Sequence, residues 1–108
     1  MSQSFAHMLD RVRAFHEKHK FAENNGHDMA YRLLLTMEEV GELAECITKG
    51  KPQADRAEEL ADLLILTLGH AIAMDLDLEA AFDAKLEEVL QRPAIKGDLG
   101  VRVTNYRG

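Results

Sequence analysis

Two short groups of acidic residues have a spacing that could do chemistry. Glu39 and Glu42 are three residues apart, and Glu59 and Asp62 repeat that spacing further along the chain. Residues at i and i+3 lie on one face of a helix, one above the other, so each pair would present two carboxylates together. Carboxylate oxygens are the ligands that Mg²⁺ and Mn²⁺ prefer. On two antiparallel neighbouring helices, the four carboxylates would converge on a divalent cation.

The helices that carry these acidic residues are otherwise rich in apolar residues. At ~100° per residue, each has an apolar stripe roughly opposite its carboxylates, and further apolar residues flank the acidic level. Such a helix is buried, and buried carboxylates are costly unless a cation neutralises them. Neither acidic stretch contains Lys or Arg, so a divalent cation is the simplest neutraliser, with a solvated acidic face as the alternative. The stripes comprise Leu33, Met37, Val40, Ala44 and Ile47 on the first helix and Ala57, Leu60, Ala61, Leu64, Leu68 and Ala71 on the second.

The acidic pattern as a whole resembles the signature of a known enzyme family. Glu38, Glu39 and Glu42 form Glu-Glu-x-x-Glu, and Glu59 and Asp62 then form Glu-x-x-Asp. This order is similar to that of the MazG-type all-α nucleoside triphosphate pyrophosphohydrolases. The resemblance implies hydrolysis of an NTP or dNTP between its α- and β-phosphates, which gives the monophosphate and pyrophosphate. It also implies Mg²⁺ as the cofactor, with Mn²⁺ as a substitute.

The same resemblance implies a role for each acidic residue. Glu39, Glu42, Glu59 and Asp62 would be the metal ligands, and Glu38 would be the general base that activates water. Glu38 lies ~100° round the helix from Glu39, so it can reach the edge of the site without being a ligand. A surface glutamate and a further metal ligand are the alternatives for Glu38.

A triphosphate also needs hydrogen-bond donors. The resemblance covers about residues 31–93 and suggests that basic residues near its end contact the phosphates. Lys85 and Arg92 are seven residues apart, which places them on one face of the last helix. Ordinary helix-surface charge is the alternative, since Glu87 and Glu88 lie between them.

The periodicity of apolar residues predicts four helices, over about residues 4–20, 28–48, 55–74 and 78–91. Asp28 and Asp77 are suited to cap the second and fourth helices. The tail from residue 95 is predicted to be irregular, although residues 101–103 could form a short strand. We therefore expect residues 1–108 to form a single all-α, four-helix bundle-like domain.

Composition narrows the class of protein. A net charge of −6 argues against binding to nucleic acid polymers or anionic membranes, and one cysteine, Cys46, excludes an internal disulfide framework. No apolar run approaches the ~20 residues of a membrane span, so a small soluble cytoplasmic protein is expected. A chain of 108 residues has a small core. Packing of the apolar helices between subunits would enlarge it, and the resemblance likewise implies a homodimer or a dimer of dimers.

Two other functions stay open. Phosphoribosyl-ATP pyrophosphohydrolase of histidine biosynthesis shares the fold and the acidic motif. That family usually has a Lys shortly before the paired glutamates, where this chain has Leu33, Leu34 and Leu35. A non-catalytic helical partner-binding protein could instead use the carboxylates as a polar seam.

Overall fold

A computed structural model describes residues 2–103 of the chain, and these residues confirm the all-helical prediction except at the C-terminal end. The chain divides into two compact units, Met1–Leu76 and Asp77–Gly108. The first unit holds three α-helices and a short 3₁₀ helix, and the second holds one α-helix and two strands. The elements are α1 (Phe5–Lys18), the 3₁₀ helix (Ala22–Asn24), α2 (Met29–Thr48), α3 (Gln53–Met74), α4 (Leu78–Leu90), β1 (Ala94–Gly97) and β2 (Gly100–Val103).

The two predicted aspartate caps are confirmed. Asp28 Oδ1 accepts a hydrogen bond of 2.9 Å from the backbone N–H of Tyr31 at the start of α2. Asp77 Oδ1 accepts one of 3.1 Å from Ala80 at the start of α4. Each cap satisfies a backbone donor that has no partner inside the helix, which is why both helices begin where these aspartates stand.

Two other helix ends differ slightly from the prediction. The third helix begins at Gln53 rather than residue 55, with Pro52 as its N-cap residue. Proline suits the start of a helix because its φ is already helical and its missing N–H is not needed there. The first helix ends at Lys18, and Lys20 then has a φ of 52°, which turns the chain away from the helix.

Helix α3 is the centre of the first unit, because it packs against both α1 and α2. The buried apolar side chains of the described residues come from all three helices. They are Val12 of α1, Cys46 of α2, and Leu68 and Ala71 of α3. This core is small, so polar contacts between α2 and α3 have a large share in holding the helices together.

In the single chain, most of the apolar stripe on α2 faces solvent. Met37 is 69% exposed and Ile47 is 60% exposed, whereas the acidic side of α2 faces α3. The stripe on α3 is divided, because Leu60 is 57% exposed while Leu68 and Ala71 are buried. The first unit thus shields one carboxyl oxygen each of Glu39 and Glu59, but it leaves Glu42, Asp62 and much of its apolar surface exposed.

The prediction of an irregular C-terminal tail is wrong for residues 95–100, which belong to a β-hairpin. Strands β1 and β2 pair antiparallel, with Gly97 opposite Gly100 and the two-residue loop 98–99 between them. Two-residue loops are the commonest connections in β-hairpins, and β-branched residues on both strands favour the extended chain. The predicted strand at 101–103 lies within β2, and residues 104–108 of the predicted tail lie outside the described residues.

Candidate metal centre

Three glutamates converge where α2 and α3 face each other. Glu39 and Glu42 come from successive turns of α2, and Glu59 comes from the facing turn of α3. Each offers a carboxyl oxygen, and these oxygens all lie within 4.8 Å of one another. Asp62, the fourth acidic residue of the pattern, is exposed, and its charge acts on Glu39 and Glu59. The structure therefore brings together three of the four carboxylates that the sequence predicts to converge, and Asp62 is not among them.

Two of the converging oxygens are buried without a hydrogen bond. Within residues 2–103, neither Glu39 Oε2 nor Glu59 Oε2 has a hydrogen-bond partner, although both are shielded from solvent. A buried polar atom that is left unpaired is costly, and more so if it is charged. The ion pairs of the described residues lie elsewhere, at Glu45 and Glu88. A set of carboxylates that lacks basic partners fits a hard divalent cation such as Mg²⁺ or Mn²⁺.

The crowding of carboxyl groups changes their proton affinity. Burial raises the pKa of Glu39 to about 7, and the adjacent Glu59 side chain and the charges of Glu42 and Asp62 add to the rise. Burial also raises the pKa of Glu59, and Glu42 and Asp62 again contribute. Without a metal, the cluster therefore keeps a proton near neutral pH. A bound cation would displace that proton, since metal ligands must be deprotonated.

The other predicted site residues lie outside this convergence. Glu38 is exposed on α2 beside Glu39 and is not one of the three glutamates whose oxygens meet. Lys85 and Arg92 lie in the second unit, and both pair with Glu88. The Lys85 Nζ lies 3.7 Å from Glu88 Oε2, while the Arg92 guanidinium bonds to Oε1 of the same carboxylate. Ion pairs at the protein surface are weak, so a phosphate could compete with Glu88 for either cation.

A groove between α1 and α3 is a feature that sequence reasoning missed. It has a volume of about 460 Å³ and reaches the carboxylate region at Asp62. Arg11 also lines it, and none of the ion pairs found in residues 2–103 involves Arg11. The sequence holds a signal for this site, because Arg11 interrupts the apolar face of the first helix. The apolar part of the lining includes Met8, Val12, Phe15, Ile65 and Leu68.

Comparison with known proteins gives one match. The family model of the MazG nucleotide pyrophosphohydrolase domain matches residues 29–94. That range is more than half of the chain, and it contains α2, α3 and α4 with both acidic groups. The chain matches no curated protein and no solved structure. Across the described residues, no helix combines the length and the apolar character needed to cross a membrane.

Proposed function

Because the chain belongs to the MazG nucleotide pyrophosphohydrolase family, we propose that it is a Mg²⁺-dependent hydrolase of nucleoside triphosphates. The substrate would be an NTP or dNTP, attacked by water so that the bond between the α- and β-phosphates breaks. The products would be the nucleoside monophosphate and pyrophosphate. One observation carries the proposal: Glu39 and Glu59 each bury a carboxyl oxygen that has no partner in residues 2–103, and a cation would satisfy both.

The acidic residues would have two different roles, metal binding and proton transfer. Glu39, Glu42, Glu59 and Asp62 would hold the metal through their carboxylates. Bound there, Mg²⁺ would supply positive charge against the triphosphate, which bare carboxylates would repel. Glu38 would accept the proton of the attacking water, since its exposed carboxylate is not engaged with the other three glutamates.

Basic residues would bind the phosphates. Arg11 is well placed for this role, because it shares a groove with Asp62 and has no ion-pair partner in the described chain. The apolar walls of the groove suit the uncharged part of a nucleotide. On the family resemblance, we also propose Lys85 and Arg92 as phosphate-binding residues.

The active form would be a homodimer or a dimer of dimers. The exposed apolar stripes support this, because large uncovered apolar patches on soluble proteins are commonly interaction surfaces. Met37 and Ile47 of α2 and Leu60 of α3 would lie in such an interface. Nucleoside triphosphates are cytoplasmic metabolites, so the proposal includes a cytoplasmic location.

Pyrophosphate release tests the proposal. The purified protein is incubated with each NTP and dNTP and with phosphoribosyl-ATP, once with Mg²⁺ and once with EDTA. We expect release from at least one NTP or dNTP, only with Mg²⁺, and none from the Glu59→Gln variant. Release from phosphoribosyl-ATP alone would favour the histidine-biosynthesis enzyme. If no substrate releases pyrophosphate, a non-catalytic helical protein becomes the better reading.

A further inference from the structure

A second polar cluster lies in the contact between α2 and α3, and the proposed chemistry does not use it. Its centre is Arg32, which is only 2% exposed. The Arg32 Nε donates to His70 Nδ1 at 3.0 Å. One terminal nitrogen donates to the carbonyl oxygen of Gly26 at 3.0 Å, and the other donates to that of Leu66 at 3.1 Å. The side chain therefore ties α2 to α3 and to the turn that precedes α2.

The acceptors of Arg32 are unusual for a buried cation. They are two backbone carbonyls and a neutral ring nitrogen, and none of the ion pairs in residues 2–103 involves Arg32. A buried charge without a counter-ion is costly, and burial lowers the pKa of Arg32. Apolar residues of similar volume often make a helix contact at least as stable as buried charges do. Stability alone therefore does not account for an arginine at this position.

The acceptor ring of His70 is fixed from the opposite side. Thr36 Oγ1 donates to the carbonyl of Arg32 at 2.9 Å, so its oxygen accepts from His70 Nε2 at 2.8 Å. This leaves the lone pair of His70 Nδ1 for Arg32, which can only donate. Thr36 and Arg32 both belong to α2, so two residues of that helix hold one ring of α3.

Helix α3 also leaves room for the guanidinium. Gly69 is buried, and a Cβ at that position would overlap a terminal nitrogen of Arg32 and lie 2.9 Å from the ring of His16. Glycine destabilises a helix interior relative to alanine, so a contact that requires it here has a cost. The absence of a side chain at this point is what permits the contact.

The position of this cluster relates it to the carboxylates. Arg32 precedes Glu39 by seven residues on α2, and Leu66 follows Glu59 by seven residues on α3. Arg32 contacts Leu66, and Glu39 lies opposite Glu59, so the two helices run antiparallel. On both helices the separation is therefore two turns, or about 10 Å. A contact that sets the register at Arg32 also sets it at Glu39.

We propose that Arg32 is a positioning residue for the metal centre, because its bonds to Leu66 and His70 hold Glu39 and Glu59 in register. The inference rests on the proposed metal site at these glutamates. Partners that hydrogen-bond to metal ligands typically change metal affinity about 10- to 100-fold when they are replaced. Arg32 acts through the register of two helices and bonds to no ligand itself, so the lower end of that range is expected. Lysine keeps the charge of Arg32 but has one nitrogen, which cannot span three acceptors.

The test measures Mn²⁺ affinity from the EPR signal of the free ion. Wild type, Arg32→Lys and Ala71→Gly are compared at a temperature where circular dichroism shows each to be folded. Ala71 is buried on α3 beside His70, so its replacement by glycine lowers stability without removing a donor or acceptor. We expect Arg32→Lys to bind Mn²⁺ about 10-fold more weakly and Ala71→Gly to bind within about twofold of wild type.

A pair of variants at Thr36 covers the case in which Arg32→Lys does not fold. Thr36→Val removes the oxygen that orients His70, whereas Thr36→Ser keeps it. Weaker Mn²⁺ binding by the valine variant alone supports the inference. Equal affinities of the tested variants and wild type, or a loss in Ala71→Gly as large as that in Arg32→Lys, would overturn the inference and leave the metal site intact. A wild-type protein that binds no Mn²⁺ would overturn both.

Discussion

Glu39 and Glu59 face each other across α2 and α3, and each buries a carboxyl oxygen that has no hydrogen-bond partner in the described residues. Burial and the neighbouring acidic groups raise the pKa of Glu39 to about 7. A proton and a divalent cation would therefore compete for the same oxygens near neutral pH. The pH dependence of stability and of metal binding therefore reports on this site.

The first prediction concerns the stability of the metal-free protein. The pKa of Glu39 is raised from 4.5 to about 7 in the folded state, so the folded protein binds this proton more tightly than the unfolded chain does. The resulting stability is present below about pH 4.5 and is lost as the pH rises through about 7. Glu39→Gln should remove this loss. Urea unfolding in EDTA from pH 5 to pH 8 measures this. The free energy of unfolding of the variant should rise relative to that of wild type as the pH rises, and an unchanged difference between the two would contradict the raised pKa of Glu39.

The proximity of Glu39 and Glu42 could be predicted from their spacing in the sequence, but the packing of the helices around them could not. The i,i+3 rule places Glu39 and Glu42 together whatever the remaining fold is. An apolar stripe, by contrast, can pack within a chain or between chains, so the exposure of Met37 could not be read from the pattern. The contact between Arg32 and His70 joins residues 38 positions apart, and no local spacing encodes it.

The second prediction separates the general base from the metal ligands. Glu38→Gln should abolish turnover while Mg²⁺ still raises the melting temperature, because Glu38 is proposed as the general base and not as a metal ligand. Asp62→Asn should lose most of the Mg²⁺-dependent gain, since a ligand that binds only the native state stabilises it less when its affinity is lower. Thermal melts in EDTA, Mg²⁺ and NaCl of matched ionic strength provide the measurement. Near-normal turnover in Glu38→Gln would exclude Glu38 as the general base.

The third prediction concerns the groove between α1 and α3. Arg11→Gln should raise the KM for the nucleotide about 10-fold or more, because charge-assisted hydrogen bonds contribute roughly 1.5–3 kcal/mol. Mn²⁺ affinity in the absence of nucleotide should not change. Arg13→Gln is the matched control, since Arg13 lies on the same helix and is not among the residues that line the groove. Equal KM values for the two variants would exclude Arg11 from substrate binding.

The fourth prediction concerns assembly through the exposed stripes. Met37→Lys places a charge in the apolar surface of α2 and should shift the protein towards monomer at micromolar concentration. Leu99→Lys makes the same type of change at the fully exposed tip of the hairpin and should leave assembly unchanged. Sedimentation velocity measures the oligomeric state of both variants and of wild type. A wild-type monomer with full activity would exclude an obligatory oligomer.

The fifth prediction concerns acid sensitivity. His16 is 3% exposed, and its Nδ1 lies 3.0 Å from His27 Nε2. Burial lowers the pKa of His16 to about 4, and the charge of Arg32 and the ring of His27 add to this effect. A lowered histidine pKa gives stability that is present above about 6.5 and is lost as the pH falls towards 4.

His16→Gln tests this acid response. The difference in the free energy of unfolding between wild type and the variant should shrink from pH 7 to pH 5, because the variant lacks the titrating ring. His7→Gln, at an exposed histidine of the same helix, serves as the control and should follow wild type. A constant difference between His16→Gln and wild type would show that His16 does not titrate differently in the folded protein.

The missing side chain at Gly69 also restricts how this sequence can change during evolution. Any larger residue at position 69 would have to displace the guanidinium of Arg32 or the ring of His16. A side chain at position 69 is therefore tolerated only if a smaller or differently shaped residue arises at position 32 or 16. Homologous chains should keep glycine, arginine and histidine here as a set, or exchange them together.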